Sequence, residues 1–492
     1  MLSGGLLNLT ALLVSAAAAP PAVPSVELRS DEILNLVYQL DCLPGGAECP
    51  FLDLWKNELG WTAADDAALA RRQAIRERYG GYVTVDESLD DAPLMFDAPR
   101  LITATKKMLL ASAGAADIAA YRARLELVLT PTDAAEMATL TERFLPRFRR
   151  FFSPARRRLE TMTGQLRSYF AQPSVRQVVQ RAMAFYEVPA GLRHRLEVQL
   201  VALPGGWKGH TRGEQVENLS TVEVQLDASV AGKGSIVLHE LFHYFYACAS
   251  GQRARALAAA FAAADDPGAA AAYGLLNEGV ATALSAVTRK AAFGPDKWQH
   301  ELSLGGHWYN DGPIDTVAKA IYQWLDERLE RGLGLYEPSF VPGYVGLVRA
   351  AMGPQLDRPV LKLRTLVVAV EDEHIRSLRG VSAGRSLVGR PLETPEVSQA
   401  LLTHPAQSGV VMLRGKSLAR LRSWEPVLGA GIVERATKLY RASGPLILGV
   451  KRGRSAVIYL LVGDTDADFE TLQARLLAAE APFEVLSLRR SK

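Results

Sequence analysis

His239-Glu240-Leu241-Phe242-His243 places two imidazoles four residues apart, with a carboxylate directly after the first. On a helix, positions i and i+4 lie one above the other, so both rings can aim a nitrogen at one cation. Glu240, about 100° round the same helix, reaches the edge of that site. The flanking residues predict the helix: Gly234-Ser235 reads as its N-cap, Ile236, Val237, Leu238, Leu241, Phe242, Phe245 and Ala247 follow without a break, and Ser250-Gly251 ends it. Nearly every other position is apolar, so the helix must be largely buried. Two histidines and a glutamate at its centre then need partners inside the protein. A metal ion supplies them; the alternative is a pair of buried, hydrogen-bonded histidines.

A catalytic zinc site commonly takes three protein ligands and keeps the fourth position for water. The continuation HExxHxxGxxH is ruled out, because Tyr246 stands in place of its glycine and Ala249 in place of its third histidine. Further on, residues 273–290 read as a helix that is apolar almost all round yet carries Asn277 and Glu278 near its start. A buried glutamate is costly unless paired or bound to metal. Gly279 and Ala281 beside it would let another helix or a ligand come close. The competing explanation is a first-turn glutamate placed favourably on the helix dipole. Asp265 and Asp266 compete as third ligands, but Asp265-Asp-Pro-Gly268 reads as an exposed turn after an Ala-rich helix at 252–264.

With Glu278 as third ligand, residues 239–282 resemble the gluzincin metallopeptidases, whose third ligand is a glutamate on a second helix downstream of HExxH. The resemblance implies a zincin-like catalytic core, made of a small sheet, the HExxH helix and the glutamate-bearing helix. It implies one Zn2+ per chain, held by His239, His243 and Glu278. Glu240 would be the general base of peptide-bond hydrolysis by metal-activated water. A later tyrosine or histidine would stabilise the oxyanion, with Tyr309 the first choice and His307 the second. Thr282 stands where the family often has an aspartate bracing a zinc-bound histidine, and a hydroxyl is the weaker orienter. The helix at 252–264 would account for the long separation between His243 and Glu278. Two other functions fit the same residues: a non-catalytic, zinc-containing peptide-binding or scaffold protein, and a zinc hydrolase of a non-peptide amide.

The rest of the 492-residue chain has ordinary charged and apolar fractions and material for two to four domains. A net charge of +3 implies no polyanionic partner, and no basic run is interleaved with aromatics, so nucleic acid is not indicated. Residues 1–19 read as a signal peptide, an apolar block at 6–14 followed by Ser15-Ala-Ala-Ala-Ala19, which predicts export to the periplasm or outside the cell. No later stretch is long and apolar enough for a transmembrane anchor. Cys42 and Cys49 bracket a turn-rich loop that could close as a disulfide, leaving Cys248 as a buried thiol.

The expected fold class is α+β. Residues 20–190 read as a helical N-terminal region, with apolar stripes at Ile33, Leu36, Val37 and Leu40 and at Leu101, Met108, Leu109 and Leu110, and a helix opening at Pro131. The arginines from Arg147 to Arg158 read as a solvated face. Residues 191–350 form the zincin-like core, with strands at 196–203 and 222–226 around a loop at 204–219. An exposed edge there would hold an extended peptide or protein substrate. A polar, aromatic loop at 305–313 leads into a helix at 314–331. Residues 356–492 read as a small α+β domain with strands at 363–370, 409–413, 446–450 and 457–462, a hairpin turn at 450–455 and a helix at 466–479. Nothing in the sequence sets an oligomeric state.

Overall fold

The structure, a computed structural model, describes residues 26–79, 82–84, 101–188, 196–207, 209, 211–227, 230–364, 366–370, 388–392, 398, 401–402 and 405–488. The leader read at 1–19 lies outside them. After β1 (Val26–Arg29) come α1 (Glu32–Cys42), α2 (Ala63–Arg78) and an antiparallel ribbon of β2 (Tyr82–Thr84) and β3 (Leu101–Thr103). Then follow α3 (Ala104–Ser112), α4 (Ile118–Leu125), α5 (Pro131–Glu142), α6 (Leu145–Ala171) and α7 (Pro173–Phe185).

Local chemistry sets these boundaries. The Thr130 hydroxyl accepts from Asp133 N to cap α5, and prolines open α5 and α6, where an N–H would have no intrahelical partner. The stripe Ile33, Leu36, Val37 and Leu40 is buried in α1, whereas Leu101 belongs to β3 rather than to the helix carrying Met108. The arginine run is not simply solvated. Arg147 grips Asp65 with two hydrogen bonds of 2.7 Å, Arg149 pairs with Glu32, and Arg150 donates to Leu59 O. Cys42 and Cys49 are joined as a disulfide, Cα atoms 5.5 Å apart.

β4 (Leu196–Ala202), β5 (Gly213–Val216) and β6 (Leu219–Val224) join β1 in a sheet of order β1-β4-β6-β5, with β5 alone antiparallel to its neighbour. β5 falls inside the span expected to be loop, and it, not the strand before the helix, ends the sheet on that side, as β1 does on the other. Two causes hide it from a pattern search. An edge strand as short and half-exposed as Gly213-Glu-Gln-Val216 need not alternate, and the tight turn to β6 runs through Glu217 at φ 56°, where glycine would be expected.

Next come α8 (Val230–Ala247), α9 (Gly251–Ala263), α10 (Ala269–Phe293), α11 (Pro295–Ser303), α12 (Gly312–Glu330), α13 (Phe340–Met352) and the single turn α14 (Pro359–Lys362). α8 starts ahead of the expected cap and runs through Gly234. A Cβ there would lie 2.7 Å from the Tyr169 ring of α6, so the glycine serves helix packing. Ser250 does not end α8 but caps α9, its hydroxyl accepting from Arg253 N. α10 is buried between α7, α8 and α12. Its Gly279 faces α12, where a Cβ would stand 2.9 Å from Val317 Cγ1. One apolar core includes Leu28 of β1, Leu36 of α1, Phe148 of α6, Val198 of β4, Leu241 of α8 and Leu276 of α10. The helical segment and the segment carrying the His-Glu motif thus share a sheet and a core.

The C-terminal residues build a second sheet from β7 (Leu366–Val370), β8 (Val388–Pro391), β9 (Ser408–Arg414), β10 (Leu446–Arg452), β11 (Ala456–Gly463) and β12 (Val485–Ser487), in the order β12-β10-β11-β9-β7-β8. The expected hairpin joins β10 to β11 through Gly453 at φ 57°. Alternate residues face opposite sides. Val411, Leu413, Ile458 and Leu460 pack with the helix Ile432–Ser443, while Val410, Met412, Tyr459 and Leu461 pack with the helix Asp466–Ala478. The fold is mixed α+β. Among the described residues no helix is long and apolar enough to cross a membrane.

Candidate metal centre

α8 and α10 bring His239, His243 and Glu278 together in the interior, each less than a tenth exposed. His239 Nε2 lies 2.8 Å from His243 Nε2 and 3.2 Å from Glu278 Oε2, and His243 Nε2 lies 3.0 Å from Glu278 Oε1. Two nitrogens and a carboxylate therefore converge on one point. For metal–ligand bonds of about 2.0–2.1 Å, tetrahedral geometry separates ligand atoms by about 3.3 Å, so a shift of a few tenths of an ångström accommodates an ion. The donor set fits as well: imidazole and carboxylate suit a divalent transition ion, whose charge makes the burial of Glu278 tolerable.

The tautomer of His243 is set from outside the triad. Its Nδ1 lies 2.9 Å from Asn277 Oδ1; as Nδ1–H it donates to that amide oxygen, leaving the Nε2 lone pair for a cation. Asn277 thus orients His243 in place of Thr282, the weaker orienter, whose buried Oγ1 makes no hydrogen bond among the described residues. Because α10 begins at Ala269, Glu278 stands in its third turn, which removes the helix-dipole explanation for its burial. Asp266 is engaged by Arg349, and Asp265, almost fully exposed, by Arg454. Cys248 is a buried thiol outside the group.

Glu240 projects to the side of the triad, against the edge strand β5. Its carboxylate fills the space beside Gly213 of β5 where any Cβ would sit. The start of that strand is held firmly: buried Glu223 accepts from Arg212 N at 2.9 Å and from the Tyr38 hydroxyl at 3.0 Å, and the Arg212 side chain donates to Glu48 O inside the disulfide loop at 2.6 Å. Burial raises the Glu223 carboxyl above its ordinary range against these donors.

Tyr309 stacks on the His239 ring, centroids 5.6 Å apart and planes 29° from parallel. Burial, reinforced by the Glu240 and Asp311 charges and opposed by Arg364, pushes its hydroxyl well above the usual phenol value, so it stays protonated and able to donate. Its loop is organised by Asp315 of α12, which accepts from Trp308 N at 2.6 Å, Tyr309 N at 3.2 Å and Lys319 Nζ at 2.8 Å. Burial works to raise the Asp315 carboxyl, but these hydrogen bonds and that from His307 outweigh it and hold it low. His307 itself is 82 % exposed and turned to Asp315. Of the two tyrosine and histidine candidates, only Tyr309 adjoins the triad.

Asn277, Gly213 and Asp315 had no assigned role from sequence. Only Asn277 carried a signal, as a polar neighbour of Glu278 on an apolar helix. No protein-family model matches the chain, and neither a curated protein nor a solved structure is significantly similar to it.

Proposed function

We propose that this chain is an exported, zinc-dependent peptidase with a zincin-like core of gluzincin type. One observation carries the proposal: the three convergent side chains of α8 and α10 stand beside a glutamate outside that group, whose carboxylate lies against the edge strand β5. A structural metal site has no use for Glu240. A zinc ion held by His239, His243 and Glu278 would supply a lowered water pKa and Lewis acidity toward a carbonyl. Glu240 takes the proton of the attacking water and delivers it to the departing amine. The outer edge of β5 offers main-chain groups to an extended peptide, beside the Glu240 carboxylate. Tyr309, protonated and stacked on His239, donates to the developing oxyanion. The Cys42–Cys49 disulfide suits an oxidising compartment and supports export.

Zinc content and peptide hydrolysis, measured on the wild type, Glu240→Gln and Glu278→Ala, test this. Glu240→Gln should retain zinc and lose activity by a factor of about 100 to 10,000, whereas Glu278→Ala should lose tight zinc. Full activity in the first variant, or undiminished zinc affinity in the second, would overturn the proposal.

A further inference from the structure

Two arms from one turn of α1 converge on Arg212, the residue that precedes Gly213. Tyr38 and Cys42 stand four positions apart on α1 and so share a face. The first arm runs through Glu223 of β6, which is 1 % exposed. Its carboxylate accepts from the Tyr38 hydroxyl at 3.0 Å and from Arg212 N at 2.9 Å, and its own amide donates to Arg212 O at 2.9 Å. The second arm runs through the Cys42–Cys49 disulfide, where the Arg212 guanidinium donates at 2.6 Å to Glu48 O, next to the second cysteine. The Phe51 ring stands edge-on to Tyr38, centroids 6.2 Å apart, and so joins the two arms. Both backbone polar groups of Arg212 and its side chain are thereby fixed.

Successive residues of an extended chain point to opposite faces, so a grip on the Arg212 side chain from the α1 side turns the next residue toward α8. That residue is Gly213, and the Glu240 carboxylate fills the place its Cβ would take. Val216, buried, anchors the far end of β5. Near the other end Glu214 pairs with Lys106 of α3 at 3.0 Å, but these side chains are 43 % and 44 % exposed and hold the strand weakly. Burying a carboxylate costs solvation that its hydrogen bonds must offset, and those of Glu223 act on the strand end beside the general base. We infer that Arg212 is a positioning residue: clamped by Glu223 and by the disulfide loop, it holds the Gly213 end of β5 at the depth that aligns Glu240 with the metal centre. The Cys42–Cys49 disulfide then governs turnover as well as stability.

This inference rests on the peptidase proposal for what Glu240 does, and its test separates the two. Zinc-loaded wild type, Arg212→Ala, Arg212→Lys and Cys42→Ser/Cys49→Ser are compared by hydrogen exchange over residues 212–216, by zinc content and by hydrolysis of the best-cleaved member of a panel of quenched-fluorescent octapeptides. Arg212→Ala should speed exchange there about tenfold and lower kcat about tenfold, with zinc retained and KM changed by less than about threefold. Arg212→Lys, which can still donate to Glu48 O, should restore part of both. The double serine variant should shift exchange and kcat in the same direction. If circular dichroism shows it misfolded, Arg212→Ala decides, because Arg212 is exposed and its loss opens no cavity. Combining Arg212→Ala with Gly213→Ala separates positioning from general loosening. If both act by misaligning Glu240, the pair should lose about tenfold in kcat rather than about a hundredfold. Unchanged exchange in Arg212→Ala, or multiplied losses in the combined variant, overturns the inference. A wild type that cleaves none of the peptides while exchange still responds to Arg212→Ala overturns the peptidase proposal instead.

Discussion

At Gly213 the absence of a side chain is what leaves room for Glu240. An added methyl group would overlap the carboxylate and push it off the strand edge. The backbone of Gly213 is ordinary extended strand rather than a left-handed conformation, so alanine fits the chain and disturbs only its neighbour. Gly213→Ala should therefore keep its zinc and its thermal midpoint to within a few degrees, yet lose about tenfold or more in kcat, because a base displaced by about an ångström is poorly aligned. Zinc analysis beside steady-state kinetics checks this. A variant with wild-type kcat would show that Glu240 does not work from this position. His243 illustrates the same dependence on neighbours, since the tautomer that turns its Nε2 lone pair toward Glu278 and His239 is selected by the amide oxygen of Asn277.

The loop between α11 and α12 gains its shape from one carboxylate. Asp311 caps α12 by accepting from Ile314 N and is held in turn by Arg364, while Asp315, one turn inside the helix, gathers the amides of Trp308 and Tyr309. Hydrogen bonds to an ionised acceptor are each worth about 1.5–3 kcal/mol, so their loss should let Tyr309 drift from the His239 ring. Asp315→Ala is expected to lower kcat about tenfold or more with zinc retained, and to abolish hydrogen-exchange protection at the two amides. Protection equal to wild type would mean that the loop is held by packing alone.

For the molecule as a whole, a charge network centred on a buried carboxylate joins α2 to α5 and α6. Asp65 is fully buried, accepts two hydrogen bonds from Arg147 and one from Arg143, and closes a capping box with Thr62. The Arg147 hydrogen bond leads in holding its carboxyl far below the ordinary range, with burial opposing. A folded-state pKa depressed in this way stabilises the protein above the unfolded value of about 3.9, and that stability is lost as pH falls through it toward the folded value. Asp65→Asn should thus cost about 1.5–3 kcal/mol at neutral pH, by weakening the charge-assisted hydrogen bonds from the partly exposed Arg147 and Arg143, while losing less further stability than wild type below about pH 4. Urea unfolding across that range measures both. Parallel acid limbs in the two proteins would exclude Asp65 as a source of acid sensitivity.

His239, Glu240 and His243 were legible because a helix repeats every 3.6 residues, and a helix that is apolar everywhere else marks its polar residues as deliberate. Glu278 was legible for the same reason of burial, and β7, β9, β10 and β11 of the second sheet because their apolar residues run unbroken between turns, whereas the short edge strands β8 and β12 were not. Those are local properties, carried by neighbours along the chain. Other features were not local. β5 is a strand only because β6 pairs with it, Gly213 matters only because Glu240 lies against it, and of the arginines after α5, Arg147 is drawn in by Asp65 while Arg156, Arg157 and Arg158 stay exposed. The sequence by itself determined which residues could hold a metal ion and on which helices they ride. Tertiary structure alone decided that they converge, what orients them and which edge strand lies beside Glu240, because distances between side chains on separate elements are set by packing.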